Sequence, residues 1–214
     1  MTLSCPLCKT MGDNSFFYSD KCREFYRCSV CTLTFVPPSQ LPSKETEKAE
    51  YEKHLNSPED MGYRKFLSRL FTPIQERIPP KSFGLDFGSG PGPTLSVMFE
   101  EEGHQMSLFD PFYAPDTKVL TRKYDFITAS EVVEHFHDPA KDLVLLWSLL
   151  KPGGWLGIMT KLALDQTAFS KWHYKNDPTH VCFFSNKTME WLAGKWQAEL
   201  FLIGSDVILF QKAI

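Results

Sequence analysis

The feature that most constrains this chain is Leu85-Asp86-Phe87-Gly88-Ser89-Gly90-Pro91-Gly92, a short apolar stretch running into three glycines spaced two apart. Glycine lets a backbone turn sharply and approach a ligand closely, so a strand that ends in such a run and feeds a helix is expected to present bare amides to a bound molecule. The helix is readable: Thr94 can cap it, and Leu95, Val97, Met98 and Phe99 supply its apolar residues. A dinucleotide fold spaces its glycines as G-x-G-x-x-G. Here Pro93 occupies the next position, the third glycine comes one residue early, and a different cofactor is favoured. The plain alternative is a glycine-rich strand-to-helix turn with no ligand.

The rest of the chain bounds what surrounds that loop. With 214 residues, 43% of them hydrophobic and 14% aromatic, one α/β domain of ordinary size and a small appendage can be built. No run approaches the ~20 apolar residues of a membrane span. Cys5 and Cys8 stand where a signal peptide would carry its charged and apolar regions, so a soluble, cytoplasmic protein is expected. A net charge of −3 provides no overall basic field for a polyphosphate partner, and no local basic patch stands out.

Cys5-x-x-Cys8 and Cys28-x-x-Cys31 are two knuckles separated by strand-like pieces at Ser15 to Tyr18 and Glu24 to Arg27. Paired C-x-x-C turns complete a tetrahedral thiolate site with no open position, so a structural zinc is expected in a unit spanning residues 1–42. So small a piece would need the metal in order to fold. Two disulfides are the other reading, and they conflict with the expected cytoplasmic location. Cys22 and Cys182 read as small apolar fillers. The run from Tyr26 to Phe35 resembles the second knuckle of many zinc ribbons.

Pro37, Pro38 and Pro42, followed by a charged stretch from Lys44 to Lys53, suggest a boundary, with a second unit over residues 46–214. From Glu59 onward Tyr63, Phe66, Leu67, Leu70 and Phe71 recur at helical spacing, and Thr72-Pro73-Ile74-Gln75 suggests that a second helix begins there. Gln105 to Phe109 reads as a strand ending in Asp110, a carboxylate placed to accept ribose hydroxyls, or else the start of an Asp-Pro turn. Tyr124 to Ser130 is a buried strand. His137-Asp138-Pro139 then opens a leucine-rich helix, Leu149 to Ile158 turns into a fifth strand, and Lys187 to Trp196 is a helix. Ala198 to Ile203 and Val207 to Gln211 form a closing antiparallel hairpin.

Asp86 to Gly92 as D-x-G-x-G-x-G resembles motif I of the class I S-adenosylmethionine-dependent methyltransferases. Tyr124 to His135 resembles their motif IV, and Leu150-Lys151-Pro152-Gly153-Gly154 is similar to their L-K-P-G-G turn. The resemblance covers most of the chain and implies a Rossmann-like α/β sheet that binds S-adenosylmethionine. It implies cofactor contacts at Asp86, Gly88, Ser89, Gly90, Gly92, Asp110, Pro111, Ser130 and Glu131. Leading helices lie over the cofactor in such enzymes, which brings Tyr51, His54 and Tyr63 into consideration beside surface or packing roles. From Phe112 to Lys123 the chain departs from the family, because the usual third strand is compressed into a loop.

Glu131-Val132-Val133-Glu134-His135 is similar to the ubiquinone-pathway O-methyltransferases, whose matching glutamates and histidine hold a divalent ion. Pocket-lining or helix-capping roles are the alternative here. Trp172 to His180 is the acceptor-side candidate, with His180 as a base or a structural histidine, and His135 and Glu131 complete the catalytic set. A small molecule carrying a hydroxyl, carboxyl or amine is the expected acceptor. RNA or protein acceptors, and a binding module that has lost catalysis, remain as other readings. A nicotinamide-dependent oxidoreductase is opposed by the glycine spacing and the lack of a Tyr-x-x-x-Lys pair.

Overall fold

The two cysteine turns repeat one backbone pattern. In the first, the Lys9 amide donates to the Cys5 carbonyl and the Cys5 amide to the Thr10 carbonyl, both at 3.0 Å; in the second, Thr32 donates to Cys28 at 3.0 Å and Cys28 to Leu33 at 2.9 Å. Lys9 and Thr32 close these turns at φ 61° and 59°, a left-handed conformation that costs a non-glycine residue roughly 1–2 kcal/mol. This computed structural model describes residues 3–12, 14–53 and 56–214. Between the turns, β1 (Asn14–Ser19) and β2 (Glu24–Cys28) form an antiparallel hairpin, and β3 (Thr34–Phe35) adds to β2. Cys22 lies exposed in the hairpin turn, so it is no apolar filler, whereas Cys182 is buried as expected.

The charged stretch after the prolines is helical. Ser43 caps α1 (Lys44–Tyr51), and the helix buries Glu47, which pairs with His137 at 2.8 Å. Then α2 (Met61–Gln75) runs unbroken through Pro73, so no second helix starts at Thr72. An interior proline costs ~3 kcal/mol, and burial of Leu67, Leu70 and Ile74, worth about 1.5–3 kcal/mol each, outweighs it. The contact is close because the strand beneath offers Gly157, where a Cβ would press on Leu70 and Ile74 at 2.9 Å.

Alternating strands and helices follow: β4 (Phe83–Phe87), α3 (Thr94–Glu101), β5 (Gln105–Phe109), β6 (Tyr124–Ser130), α4 (Pro139–Leu149), β7 (Leu150–Met159), α5 (Gln166–Ser170), β8 (Cys182–Phe183), α6 (Asn186–Trp196), β9 (Glu199–Ile203) and β10 (Val207–Gln211). Thr94 is the first helical residue of α3 and makes no capping bond, because Pro93 takes the cap position. A 3-10 turn at Thr117–Thr121 stands in the compressed segment. The large sheet has the order β5-β4-β6-β7-β10-β9, with β5, β4, β6 and β7 parallel and β10 antiparallel to both its neighbours. This is the Rossmann-like sheet with a terminal hairpin that the motifs implied. Its side chains alternate between two cores: Val207 and Leu209 face the α2 and α3 side, while Ile208 and Phe210 face the other.

The second core does not stop at the sheet. It continues through Phe169 and Phe183 to Phe25, Phe35 and the buried cysteines. In the same place β8 pairs antiparallel with β3, Phe183 opposite Thr34 and Cys182 opposite Phe35, so the small sheet is β1-β2-β3-β8. The cysteine-bearing strands are completed by the C-terminal part of the chain. Among the described residues, no helix is long and apolar enough to cross a membrane.

Candidate active site

At the end of β4 the glycine loop turns back over the sheet edge. Gly88 has φ 77°, and a Cβ there would overlap the Val132 side chain; Gly90 has φ 63°, and a Cβ there would meet nothing within 4 Å. The first glycine is needed for packing, and the second faces open space. The amides are not bare as expected. Gly88 and Ser89 donate to the Phe109 carbonyl at 2.7 and 3.3 Å, and Gly90 donates to Asp110 Oδ2 at 3.0 Å. Gly92 lies against the Asn56 backbone, and Asn56 in turn bonds the Tyr63 hydroxyl at 3.1 Å.

Asp110 therefore does two jobs. Its Oδ1 accepts from Phe112 and Tyr113 amides at 2.8 and 3.0 Å, as an Asp-Pro turn starter does, while Oδ2 ties the glycine loop to the tip of β5. It is buried, and Pro111 beside it is exposed. Asp86 is buried beneath the loop, accepting from Thr128 at 2.8 Å and Ser96 at 3.2 Å; burial pushes its carboxyl up to about 6. Ser89 Oγ is buried without a partner.

The second half of the site lies beyond β6. Ser130 ends the strand, and Glu131 takes φ 53°, its amide held by the Met159 carbonyl at 2.7 Å. A strained non-glycine residue at a sheet edge aims its side chain at a cost, and such outliers cluster at functional sites. The Tyr174 hydroxyl lies 3.2 Å from Glu131 Oε2 and also contacts Glu134 Oε1. One hydroxyl has one proton to donate, so two such contacts call for a second proton. Glu131 supplies it, since burial and the neighbouring Glu134 push its carboxyl up to about 8. Burial also raises Glu134. Glu131 Oε1 and Glu134 Oε2 remain buried without partners.

Two histidines face these carboxylates. His180 Nδ1 lies 2.7 Å from the Tyr174 carbonyl and His135 Nδ1 lies 3.1 Å from the Thr179 carbonyl, so each Nδ1 carries a proton. Their rings are 4.7 Å apart, and burial holds His180 below its ordinary value, in the neutral form. Glu134, His135 and His180 bring one ligand atom each within 4.8 Å of one another; Glu131, which the resemblance places beside Glu134 and His135 as an ion ligand, is outside that group, and His180 is in it. The Tyr51 ring lies over His135 at 5.2 Å and Phe112 at 5.8 Å. His54 lies outside the described residues.

From the loop 172–180, His173 turns outward to Lys161 at 3.1 Å, while Tyr174 and His180 turn inward. Tyr174 belongs to the stretch expected on the acceptor side, whereas Thr160, 3.3 Å from its hydroxyl, was not singled out by the sequence, where nothing in its spacing marks it. At the far end of the small sheet, Cys5 and Cys31 sulfurs are 3.5 Å apart and Cys8 and Cys28 sulfurs 3.4 Å, all four within 4.8 Å. The contacts cross between the knuckles, and no disulfide links them.

Comparison with known proteins agrees with this architecture. The model of the family described as "Methyltransferase domain" matches residues 56–200, more than half of the chain. Among solved structures, an O-methyltransferase family protein from Burkholderia thailandensis aligns with a TM-score of 0.51 at 14% identity, over 82% of this chain and 65% of that one. The SAH-bound CalO1, a methyltransferase of calicheamicin biosynthesis, aligns at 0.51 and 14%, over 79% and 58%. A chain from the complex of the Haloferax volcanii Trm112 methyltransferase activator with a methyltransferase aligns at 0.51 and 10%, over 81% and 98%. No curated protein matches the sequence. The chain belongs to the methyltransferase-domain family and is an S-adenosylmethionine-dependent methyltransferase.

Proposed function

We propose that the protein methylates a hydroxyl or amine of a small molecule bound between Glu131, Glu134, His135 and the loop 172–180. The observation that carries this reading is the pair of unpartnered carboxylate oxygens, Glu131 Oε1 and Glu134 Oε2, buried beside His180 at the sheet edge. Buried acceptors without donors are costly, and an acceptor's O–H or N–H would satisfy them.

The residues of the glycine loop fit the nucleoside cofactor. The space above Gly90 is open, Ser89 Oγ is buried without a partner, and the Asp110 carboxylate stands beside Gly90. Asp86, Gly88, Ser89, Gly90, Gly92, Asp110, Pro111, Ser130 and Glu131 would line its site. When bound, S-adenosylmethionine supplies an electrophilic methyl group. The protein's part is then positioning and proton removal. Glu134 Oε2 orients the acceptor's proton, and His180 Nε2 takes it as the acceptor's lone pair is committed to the methyl carbon. Asp177, 3.7 Å from that nitrogen, stabilises the imidazolium. Tyr51, over His135 and Phe112, shields the site from water.

A second reading of the same groups is favoured by their spacing: Glu134, His135 and His180 form a donor set suited to a divalent ion, each histidine oriented by a backbone carbonyl in the manner of metal ligands. For the four cysteines we propose one structural zinc. A tetrahedron of ~2.3 Å bonds has edges of about 3.8 Å, close to the sulfur separations here.

Calorimetry with S-adenosylhomocysteine tests the cofactor reading. Wild type should bind, and Gly90→Val, whose side chain would enter the open space, should not. Equal affinity in the two would reduce the loop to a turn. Comparison of metabolites in cells with and without the gene identifies the acceptor.

A further inference from the structure

Arg23 has no part in the chemistry above, yet it reaches the loop that carries it. It stands in the turn between β1 and β2, where Asp20 Oδ1 accepts from the Cys22 and Arg23 amides at 2.8 Å each. Its guanidinium crosses to the segment between α5 and β8. There Nη1 donates to the carbonyls of Pro178 at 3.1 Å and His180 at 2.9 Å, and Nη2 donates to the carbonyls of Asp177 at 2.9 Å and Lys175. Four carbonyls from one short segment converge on one cation. Only the planar fork of arginine offers paired donors on two nitrogens in this geometry, and an ammonium could not reproduce it.

The carbonyls define one side of the segment, and Tyr174 and His180 project from the other toward Glu131 and Glu134. The two sides are rigidly related. The Tyr174 carbonyl fixes His180 Nδ1 at 2.7 Å, and the next residues along, from Lys175 to His180, are those the guanidinium holds. Without Arg23, the part-buried carbonyls of Lys175, Asp177 and His180 would lose their common donor, and the segment would have to turn for them to reach water. A displacement of about 1 Å in groups that position a reacting atom is enough to cost ~10²-fold in rate.

We infer that Arg23 is a positioning residue for methyl transfer: it holds residues 174–180 so that Tyr174 and His180 stand at the acceptor site. Through it the cysteine-bearing hairpin is part of the active site and not an appendage. The inference rests on the acceptor-side reading given above.

The test uses the full chain uniformly labelled with ¹⁵N. The His180 Nδ1–H proton, bonded to the Tyr174 carbonyl, should appear as a slowly exchanging signal in wild type. In Arg23→Ala its exchange should rise on the order of 10²-fold, as should that of the amides of 174–180, while β6 and β7 amides keep their protection. Arg23→Lys should behave like the alanine variant, and millimolar ethylguanidinium should restore the signal in Arg23→Ala. Persistence of the signal in Arg23→Ala would overturn the inference, and so would equal loss of protection in β6 and β7, which would make Arg23 a general structural residue. If Arg23→Ala does not fold, Arg23→Lys carries the same comparison. S-adenosylhomocysteine affinity, measured on the same samples, should stay within twofold of wild type. Its absence in wild type would remove the cofactor reading while leaving the exchange result to decide the role of Arg23.

Discussion

The two halves of the site are assembled over different distances along the chain. Apart from Ser130 and Glu131, the proposed cofactor half lies between Asp86 and Tyr113, and neighbouring parallel strands hold its loop together: Gly88 and Ser89 bond Phe109, and Gly90 bonds Asp110. The acceptor half collects Arg23 from the cysteine hairpin, Glu131 and Glu134 from the end of β6, and Tyr174 and His180 from a loop before β8. The first is backbone geometry that a central sheet imposes. The second is tertiary docking, held by one guanidinium, one two-residue strand pair and the aromatic contacts of Phe169 and Phe183. Such a division lets an acceptor loop change without disturbing the donor site, as expected where a rigid scaffold carries variable loops.

The largest test of this division is removal of the proposed thiolate-bound zinc. Purified protein should hold one zinc per chain, and a site of this kind is worth an apparent ~10–16 kcal/mol. Chelation, or Cys28→Ser, should unfold β1 to β3 and loosen residues 172–183, seen as lost hydrogen-exchange protection, with little change in S-adenosylhomocysteine affinity by calorimetry. Parallel loss of that affinity would show that the halves are one unit.

Next in size, His180→Ala should lower turnover of the identified acceptor by ~10²–10⁴ through loss of proton removal, with cofactor affinity unchanged. Unchanged turnover would return His180 to a structural role. On the cofactor side, Asp86 links stability to pH. Its carboxyl is raised from 3.8 to about 6 by burial, so the folded state holds a proton that the unfolded chain has lost across that window. The contribution is present below the unfolded value and disappears as pH rises toward about 6, a change of ~3 kcal/mol for a shift of about two units. Asp86→Asn should remove this slope from urea unfolding measured at pH 4 to 7, and an identical slope in the variant would place the titrating group elsewhere. The smallest effect is expected from Asp110→Ala, roughly 1–3 kcal/mol in S-adenosylhomocysteine binding with the loop 172–180 unmoved.

Sequence made the strands of the large sheet readable because each is an apolar run between turn residues, and their order followed from the succession of motifs. It also placed Glu131, Glu134 and His135 together, since they are neighbours in the chain. It did not show that α2 continues through Pro73, because local proline propensity was outweighed by burial of Leu70 and Ile74 against Gly157. Glycine spacing announced a turn at Gly88 to Gly92 but not the direction of its amides, which depends on the carbonyl of Phe109 in the next strand. Nothing in the sequence singled out Arg23. Its partners are about 150 residues away, and no periodicity connects a hairpin turn to four carbonyls of a distant loop. The pairing of β8 escaped notice for a similar reason, since two residues are too few to carry a pattern.

That pairing sets a timetable for biosynthesis. Phe35 must wait for Cys182 before the small sheet closes, and at ~5–20 residues per second the interval is roughly 7–30 s of translation. Throughout it the nascent chain carries four thiols whose shielding strand has not been made. Oxidation would compete with loading of the proposed zinc during that interval, and its length is set by codons between the two strands. A synonymous change that slows the ribosome there would lower the yield of active protein without altering a single residue.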